Sequence, residues 1–264
     1  MHVELPLHLL RHPKSDDNKY KRGVVGFVTG SDAYPGAALL GIDAAVRTGI
    51  GLVRYLGPDS VNRLVLETRP ETVCQPGIAD AWVVGSGIDQ SDSQRAFSVR
   101  EAAGWAGLKV IDAGALEIVD FAKLNSDSAI LTPHAGELAR LLDRFGRHFD
   151  LDYEAVQAAA ALTGQVVILK GNTSLVAHPS GEVVAVGPNS ASLATAGTGD
   201  VLAGIIGALL AVNAHDAELD LVAVATLAIS IHSEAAARAS LDGPVAALDV
   251  AEAVRSVVRD WQPK

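Results

Sequence analysis

From Gly23 onward, short apolar runs rich in β-branched residues alternate with longer alanine-rich segments. That alternation is the pattern of βα units feeding a mostly parallel sheet, since strands covered on both faces have no polar side to show. Strands are expected over 24–29, 52–56, 81–84, 109–112, 129–131 and 166–169, each ended by polar or small residues. Helices are expected over 37–48, 91–106, 135–145 and 153–163, with Pro35 and Pro133 just ahead of helix starts, where a fixed φ and a missing N–H cost little. After Lys170 the pattern changes. Residues 174–177 and 182–186 flank His178-Pro179-Ser180-Gly181, a turn composition that predicts a β-hairpin in place of another crossover. The C-terminal third reads as helices over 200–212, 219–237 and 247–261, the last two parted by Gly243-Pro244. The expected fold is therefore α/β: a three-layer αβα sandwich with a mostly parallel central sheet, a late hairpin and a helical C-terminal third.

Composition narrows the function classes. With 264 residues, 49% of them hydrophobic, the chain can bury a large core. No repeat, low-complexity stretch or linker divides it, so one domain over 1–264 is expected, with 1–22 as an N-terminal extension. The formal charge of −10 argues against nucleic acid and anionic membranes as partners, because both demand a concentrated basic patch. Cys74 is the single cysteine, which excludes an internal disulfide and fits a reducing compartment; it reads as a buried strand residue. Residues 1–20 mix charged and apolar side chains, unlike a secretory signal, and the apolar run 201–212 falls short of the roughly 20 residues that cross a bilayer. A cytoplasmic location is expected.

The segment Leu193-Ala194-Thr195-Ala196-Gly197-Thr198-Gly199-Asp200 leads straight into the apolar run at 201–212. Ala196, Gly197, Thr198 and Gly199 are placed to form an anion hole, since glycines admit close approach and the amides of a helix start attract anions. An aspartate beside such a hole would repel phosphate, so Asp200 makes sense as a base that takes a proton from a hydroxyl attacking that phosphate. The alternative is that Asp200 only caps the helix. Ahead of this loop, the apolar run 166–169 ends in Lys170-Gly171-Asn172-Thr173-Ser174, groups suited to a nucleotide at the carboxyl edge of a parallel sheet. In Thr132-Pro133-His134-Ala135-Gly136-Glu137, His134 could donate to a polar ligand and Glu137 could close a capping box with Thr132 or a neighbour. Two glycine-bearing loops, Thr29-Gly30-Ser31-Asp32-Ala33-Tyr34-Pro35-Gly36-Ala37-Ala38 and Gly85-Ser86-Gly87, could wall a pocket. No third glycine makes the latter a dinucleotide fingerprint, and no Walker lysine motif, His-Glu-x-x-His pair or nucleophile elbow occurs in the chain.

Taken in order, Tyr34-Pro35-Gly36-Ala37-Ala38, Leu131-Thr132-Pro133-His134-Ala135-Gly136-Glu137, Leu169-Lys170-Gly171 and the run from Ala194 to Gly204 resemble the ADP-dependent NAD(P)H-hydrate dehydratase family, a ribokinase-like branch. The resemblance runs from about Gly23 to the C-terminus. It implies removal of water from the 6S hydrate of NADH or NADPH at the expense of ADP, with release of AMP and phosphate, as metabolite repair. It further implies that Lys170, Gly171, Asn172, Thr173, Ser174 and Gly199 contact the adenine nucleotide, while Ala37, Gly87, His134 and Asp200 contact the hydrated dinucleotide, with Asp200 as general base. Mg2+ is the implied cofactor, and a homo-oligomer, a tetramer among relatives, the implied assembly. Two positions depart from the family pattern: Ser174 stands in place of a threonine, and Asp112-Ala113-Gly114-Ala115-Leu116 has glycine in place of an aspartate. Asp112 is left as a supporting group. Many relatives carry an epimerase domain ahead of this one; only about twenty residues precede Gly23, so a separate epimerase is the expected functional partner. The rivals are a ribokinase-like kinase of a small vitamin or sugar alcohol, which the same anion hole and base would serve, and a nucleotide-binding regulator without chemistry.

Overall fold

The computed structural model describes residues 4–89, 91–150 and 152–263; of the expected extension, residues 1–3 lie outside the described residues. Eight strands form one sheet: β1 Val24–Val28, β2 Leu52–Tyr55, β3 Ala81–Val84, β4 Leu108–Ile111, β5 Ala129–Leu131, β6 Val166–Leu169, β7 Ser174–Ala177 and β8 Val183–Val186. Their order is β2-β1-β3-β4-β5-β6-β7-β8. Pairing is parallel as far as β6 and antiparallel through β7 and β8. The expected late hairpin is therefore present.

The helices are α1 Gly36–Thr48, α2 Asp59–Thr68, α3 Ser93–Ala103, α4 Ala115–Ile118, α5 Ala135–Asp143, α6 Tyr153–Thr163, α7 Thr198–Asn213, α8 Leu221–Ala239 and α9 Ala247–Trp261. Strand side chains alternate between faces, and the core divides accordingly. Val25, Phe27, Val83, Val110, Ile130 and Ile168 pack with α1, α7, α8 and α9. Val24, Val28, Trp82, Val84, Ile111 and Leu131 pack with α3, α5 and α6 on the other side. This is the three-layer sandwich.

Helices α2 and α4 are additional to the expected list, and Cys74 departs from its expected place. Helix α2 was not anticipated: its buried stripe is only Val61 and Val65, one turn apart, too brief to read as an amphipathic period. Cys74 is not in a strand and is half-buried; it follows Val73, which takes the strand-like place through Val73 N–H to Val53 O and Tyr55 N–H to Val73 O. Burial pushes its thiol pKa up. The apolar run within α7 is a buried helix, as expected. Helix α8 is long and apolar enough to cross a membrane by length and composition, yet 67% of its 18-residue apolar window is buried inside the fold.

Helix α7 reaches the sheet edge through glycine contacts. A Cβ at Gly204 would lie 2.1 Å from Gly41 O of α1, and one at Gly41 would lie 3.3 Å from Asp200 O. Backbone-on-backbone packing of α1 and α7 thus sets the first turn of α7 beside the loop that follows β1.

Candidate functional site

Parallel strands deliver the loops after β1, β3, β4, β5 and β6 to one edge, and α7 starts there too. The structure places the expected residues on these loops. After β1 and β3, Gly30 N–H donates to Ser86 O (2.7 Å) and Ser31 Oγ to Gly87 O (2.8 Å). Gly87, at φ +67°, sits so close that a Cβ there would lie 2.6 Å from Ala37 Cβ and 2.9 Å from Tyr34 O. Ala37 and Gly87 are thereby brought together in a wall that only backbone could form. Sequence reasoning missed the clamp behind this wall. Arg95 of α3, 6% exposed, donates from Nε to Gly30 O (3.0 Å), from Nη2 to Thr29 O (2.9 Å) and from Nη1 to Leu56 O (3.2 Å). Nothing in the local sequence marked it as more than a helix-surface arginine. Behind the loop Arg95 and Tyr55 line a cavity of about 470 Å³, and their donors are taken by backbone carbonyls.

Asp112, after β4, is the hub of the edge. Its Oδ2 accepts from Ser86 Oγ (2.8 Å), and its Oδ1 accepts from Thr132 Oγ1 (2.7 Å) and from Lys170 Nζ (3.1 Å). Three donors to a buried carboxylate tie the ends of β3, β5 and β6 together. Lys170 Nζ also lies 3.8 Å from Glu137 Oε2. Burial opposes the Lys170 charge, but Asp112, Glu137 and the more distant Asp200 outweigh it and hold the ammonium pKa above its ordinary value.

His134 caps α5. Its Nδ1 accepts from Gly136 N–H (3.0 Å) and Glu137 N–H (3.4 Å), while Glu137 Oε2 accepts from His134 N–H (2.8 Å). The capping partner of Glu137 is thus His134; Thr132, the other candidate, is turned to Asp112 instead. With Nδ1 an acceptor, the ring N–H sits on Nε2, which lies 3.4 Å from Glu137 Oε1 on an exposed side chain that a ligand can also reach. Gly114 has a steric reason: a Cβ there would lie 1.8 Å from Ile88 O, so the loop after β3 fills the space an aspartate side chain needs.

Helix α7 begins at Thr198 with Gly197 as its N-cap, at φ +91°. Asp200 is therefore the third helical residue and does not cap. Among the described residues, the amides of Ala196, Gly197 and Gly199 engage no acceptor, whereas Thr198 N–H reaches Thr195 O at 3.4 Å. Thr198 braces the turn through Oγ1, which donates to Leu193 O (2.8 Å) and Thr195 O (3.0 Å). Free amides at a helix start form an anion site, and a Cβ at Gly199 would lie 3.5 Å from Lys170 Nζ, so the cation borders it. No hydrogen bond or ion pair among the described residues engages the Asp200 carboxylate. Burial first, then the negative charge of Asp112, raises its pKa to about 7 against the lowering effect of Lys170.

A second cavity of about 470 Å³ opens from this anion site. Lys170, Gly171, Asn172, Ser174 and Gly199 line it, and Thr173 does not. Thr173 lies instead against Gly187, where a Cβ would meet its Oγ1 at 3.2 Å. Ser174 Oγ accepts from Asn189 Nδ2 (3.0 Å), so the serine hydroxyl is held at the cavity wall. Sequence reasoning missed the opposite wall, which includes Asn189, Leu193, Leu202, Ile229 and His232. Only a lone histidine in an otherwise apolar helical run, His232, left a trace of it.

Comparison with known proteins bears on the whole arrangement. A bifunctional NAD(P)H-hydrate repair enzyme from Mycobacterium tuberculosis is 38% identical over 219 residues, which are 75% of this chain and 43% of that protein. The chain therefore spans less than half the length of that relative. An ADP-dependent (S)-NAD(P)H-hydrate dehydratase from Neisseria meningitidis is 34% identical over 228 residues, 77% of this chain and 74% of that one. A crystal structure of the ADP/ATP-dependent NAD(P)H-hydrate dehydratase from Bacillus subtilis, co-crystallised with ATP and Mg2+, matches 99% of both chains with a TM-score of 0.78 at 24% identity. That likeness establishes the fold, which is ribokinase-like, as expected. The family model for NAD(P)H-hydrate dehydratases matches residues 25–256, and with so much of the chain covered, the chain belongs to the NAD(P)H-hydrate dehydratase family.

Proposed function

We propose that this chain, as one ribokinase-like hydro-lyase domain, removes water from the 6S hydrate of NADH or NADPH and uses ADP to do so. The observation that carries this reading is the Asp200 carboxylate: unpaired, raised to about 7, and set beside free amides and a lysine. A base with a pKa near neutrality can take a proton and still be regenerated at working pH. The C6 hydroxyl of the hydrate gives its proton to Asp200 as its oxygen attacks the β-phosphorus of ADP, and AMP leaves with the electrons of the broken P–O bond. The ring-nitrogen lone pair then expels phosphate from C6. Loss of the C5 proton forms the C5–C6 double bond and restores the dihydronicotinamide.

The roles divide along the edge. The amides of Gly197 and Gly199 and the Lys170 ammonium receive the transferring phosphoryl group. Gly171, Asn172 and Ser174 hold the nucleotide, with Thr173 supporting the loop from behind. Ala37, Gly87 and His134 hold the dinucleotide. Magnesium bound with the nucleotide would offset phosphate charge, with Asp200 as the carboxylate beside the anion site. We further read the protein as a cytoplasmic homo-oligomer, a tetramer by resemblance, working on the 6S epimer of the hydrate.

Absorbance at the reduced-nicotinamide band tests the reading directly. Pure protein, magnesium and hydrated NADH are mixed with ADP, with ATP, or with neither. A rise that needs ADP is expected. No rise with either nucleotide, together with phosphorylation of a vitamin or sugar alcohol by ATP, would replace the dehydratase with a kinase.

A further inference from the structure

The loop from Gly171 to Ser174 has few strong bonds of its own. Gly171, Asn172 and Thr173 are exposed, and only Ser174 is buried. Within the loop, Gly171 N–H reaches Ser174 Oγ at 3.5 Å and Ser174 Oγ reaches Gly171 O at 3.4 Å, lengths at which a hydrogen bond is weak. Shorter bonds reach it from Asn189, outside the loop. Asn189 N–H donates to Asn172 O (2.6 Å), and Asn189 Nδ2 donates to Gly171 O (2.9 Å) and to Ser174 Oγ (3.0 Å). A carbonyl can only accept, so the contact with Gly171 O fixes the side-chain amide with its nitrogen towards the loop.

Asn189 is itself anchored on both sides. Before it, Gly187 lies so close to the loop that a Cβ there would meet Asn172 O at 2.9 Å and Thr173 Cα at 3.0 Å, so the chain leaving β8 packs backbone on backbone against the loop. After it, Ser190 N–H donates to Ser233 Oγ of α8 (2.9 Å). The residue that grips the loop is therefore fastened to the sheet edge and to the helical layer. Asn189 also lines the nucleotide cavity together with Gly171, Asn172 and Ser174. A loop whose shape is set before the ligand arrives loses little conformational freedom on binding, whereas an unset one gives up affinity to become ordered.

We propose that Asn189 is the positioning residue of the nucleotide loop: its backbone and side-chain N–H groups hold Gly171, Asn172 and Ser174 in the shape that receives the adenine nucleotide. This rests on the reading of the cavity as the nucleotide site given above. It adds a residue between β8 and α7, outside every segment that the sequence singled out.

Calorimetric titration with ADP and magnesium of the full-length wild type, Asn189→Ala, Ser174→Ala and the double variant tests it. Asn189→Ala keeps the backbone bond to Asn172 and loses both side-chain bonds, and ADP is expected to bind it about 10-fold more weakly. Because Asn189 acts through the loop, Ser174→Ala should weaken ADP binding less in the Asn189→Ala background than in the wild type. Unchanged ADP affinity in a folded Asn189→Ala, whatever its urea midpoint, would overturn the proposal, since a residue that merely braces the hairpin alters stability and leaves affinity alone. So would additive losses in the double variant, which would make Asn189 a nucleotide contact in its own right. Hydrogen exchange on the wild type needs no variant to fold. With no nucleotide added, the Asn189 amide is expected to be protected by its bond to Asn172 O; protection that arises only when ADP is added would mean that the ligand sets the loop, and would also overturn the proposal. Binding and exchange are read without turnover, so the two readings fail separately. ADP affinity that responds to Asn189 without dehydration removes the dehydratase alone, and ADP-driven dehydration with affinity indifferent to Asn189 removes the role of Asn189 alone. A wild type that does not bind ADP removes both.

Discussion

Two carboxylates stand at the same edge of the sheet in opposite conditions. Asp112, at the end of β4, accepts hydrogen bonds from Ser86, Thr132 and Lys170. Asp200, in the first turn of α7, accepts none among the described residues and is lifted to about 7. One is spent on holding four loops in register; the other is kept available for a proton. The contrast teaches that the roles come from the surroundings, since the side chains are identical. Asp112 even contributes to the state of Asp200, because its negative charge is one of the causes of the raised pKa.

The contrast can be broken from either end. Asp200→Asn keeps the shape and removes the basic site. Turnover is expected to fall by about 10²–10⁴-fold, with ADP affinity by calorimetry within a few-fold of wild type. Asp112→Asn should act on the fold instead. It leaves the largely buried Lys170 with Glu137 and the more distant Asp200, a loss of about 2–4 kcal/mol in urea unfolding. In whatever folds, the acid limb of the pH profile should also move to lower pH, as Asp200 has lost a like charge. Equal midpoints in the two proteins would separate Asp112 from Asp200.

Smaller changes sharpen the picture. Gly87→Ala puts a methyl group against Ala37 at positive φ, and about 1–3 kcal/mol should be lost. It should show as a raised KM for the hydrated dinucleotide with nucleotide affinity unchanged; a change in ADP binding instead would misplace the wall. The smallest effect is on stability against pH. Asp200 folded holds, between about pH 4 and 7, a proton that the unfolded chain has already released, so its contribution weakens as pH rises through that window. Asp200→Asn should therefore gain ~1–2 kcal/mol on wild type at pH 8, after allowing for partial exposure, and nothing near pH 4. His232 works in the opposite sense. Its folded pKa of about 4 lies below the ordinary 6.5, so stability lost in acid returns as pH rises through that interval. Urea midpoints of both proteins at pH 4.5, 6 and 8 read the two slopes.

The sheet and its order of elements were legible because strands buried on both faces leave uninterrupted apolar runs, and the hairpin because His178-Pro179-Ser180-Gly181 can only turn. The loops that meet at the edge were legible from small and polar residues placed directly after those runs. What could not be read were long-range pairings. Nothing near Asp112 in the chain points to Lys170, which is 58 residues away, and nothing near Arg95 points to the carbonyls of Thr29 and Gly30. Helix α2 was missed because two valines make too short a period. The cavity wall that includes His232 draws on two helices and the loop before α7, which a linear pattern does not display. Gly114, which read as a lost carboxylate, is a packing requirement imposed by Ile88.

The most direct test of the central claim is the pH dependence of kcat/KM for ADP-driven formation of NADH from its hydrate, the parameter that reports the base of the free enzyme. The arrangement around Asp200 gives an acid limb with its midpoint near 7 that disappears into residual activity in Asp200→Asn. A wild-type profile that stays flat from pH 5.5 to 9, or an asparagine variant with near-normal turnover, would contradict the assignment of Asp200 as the base.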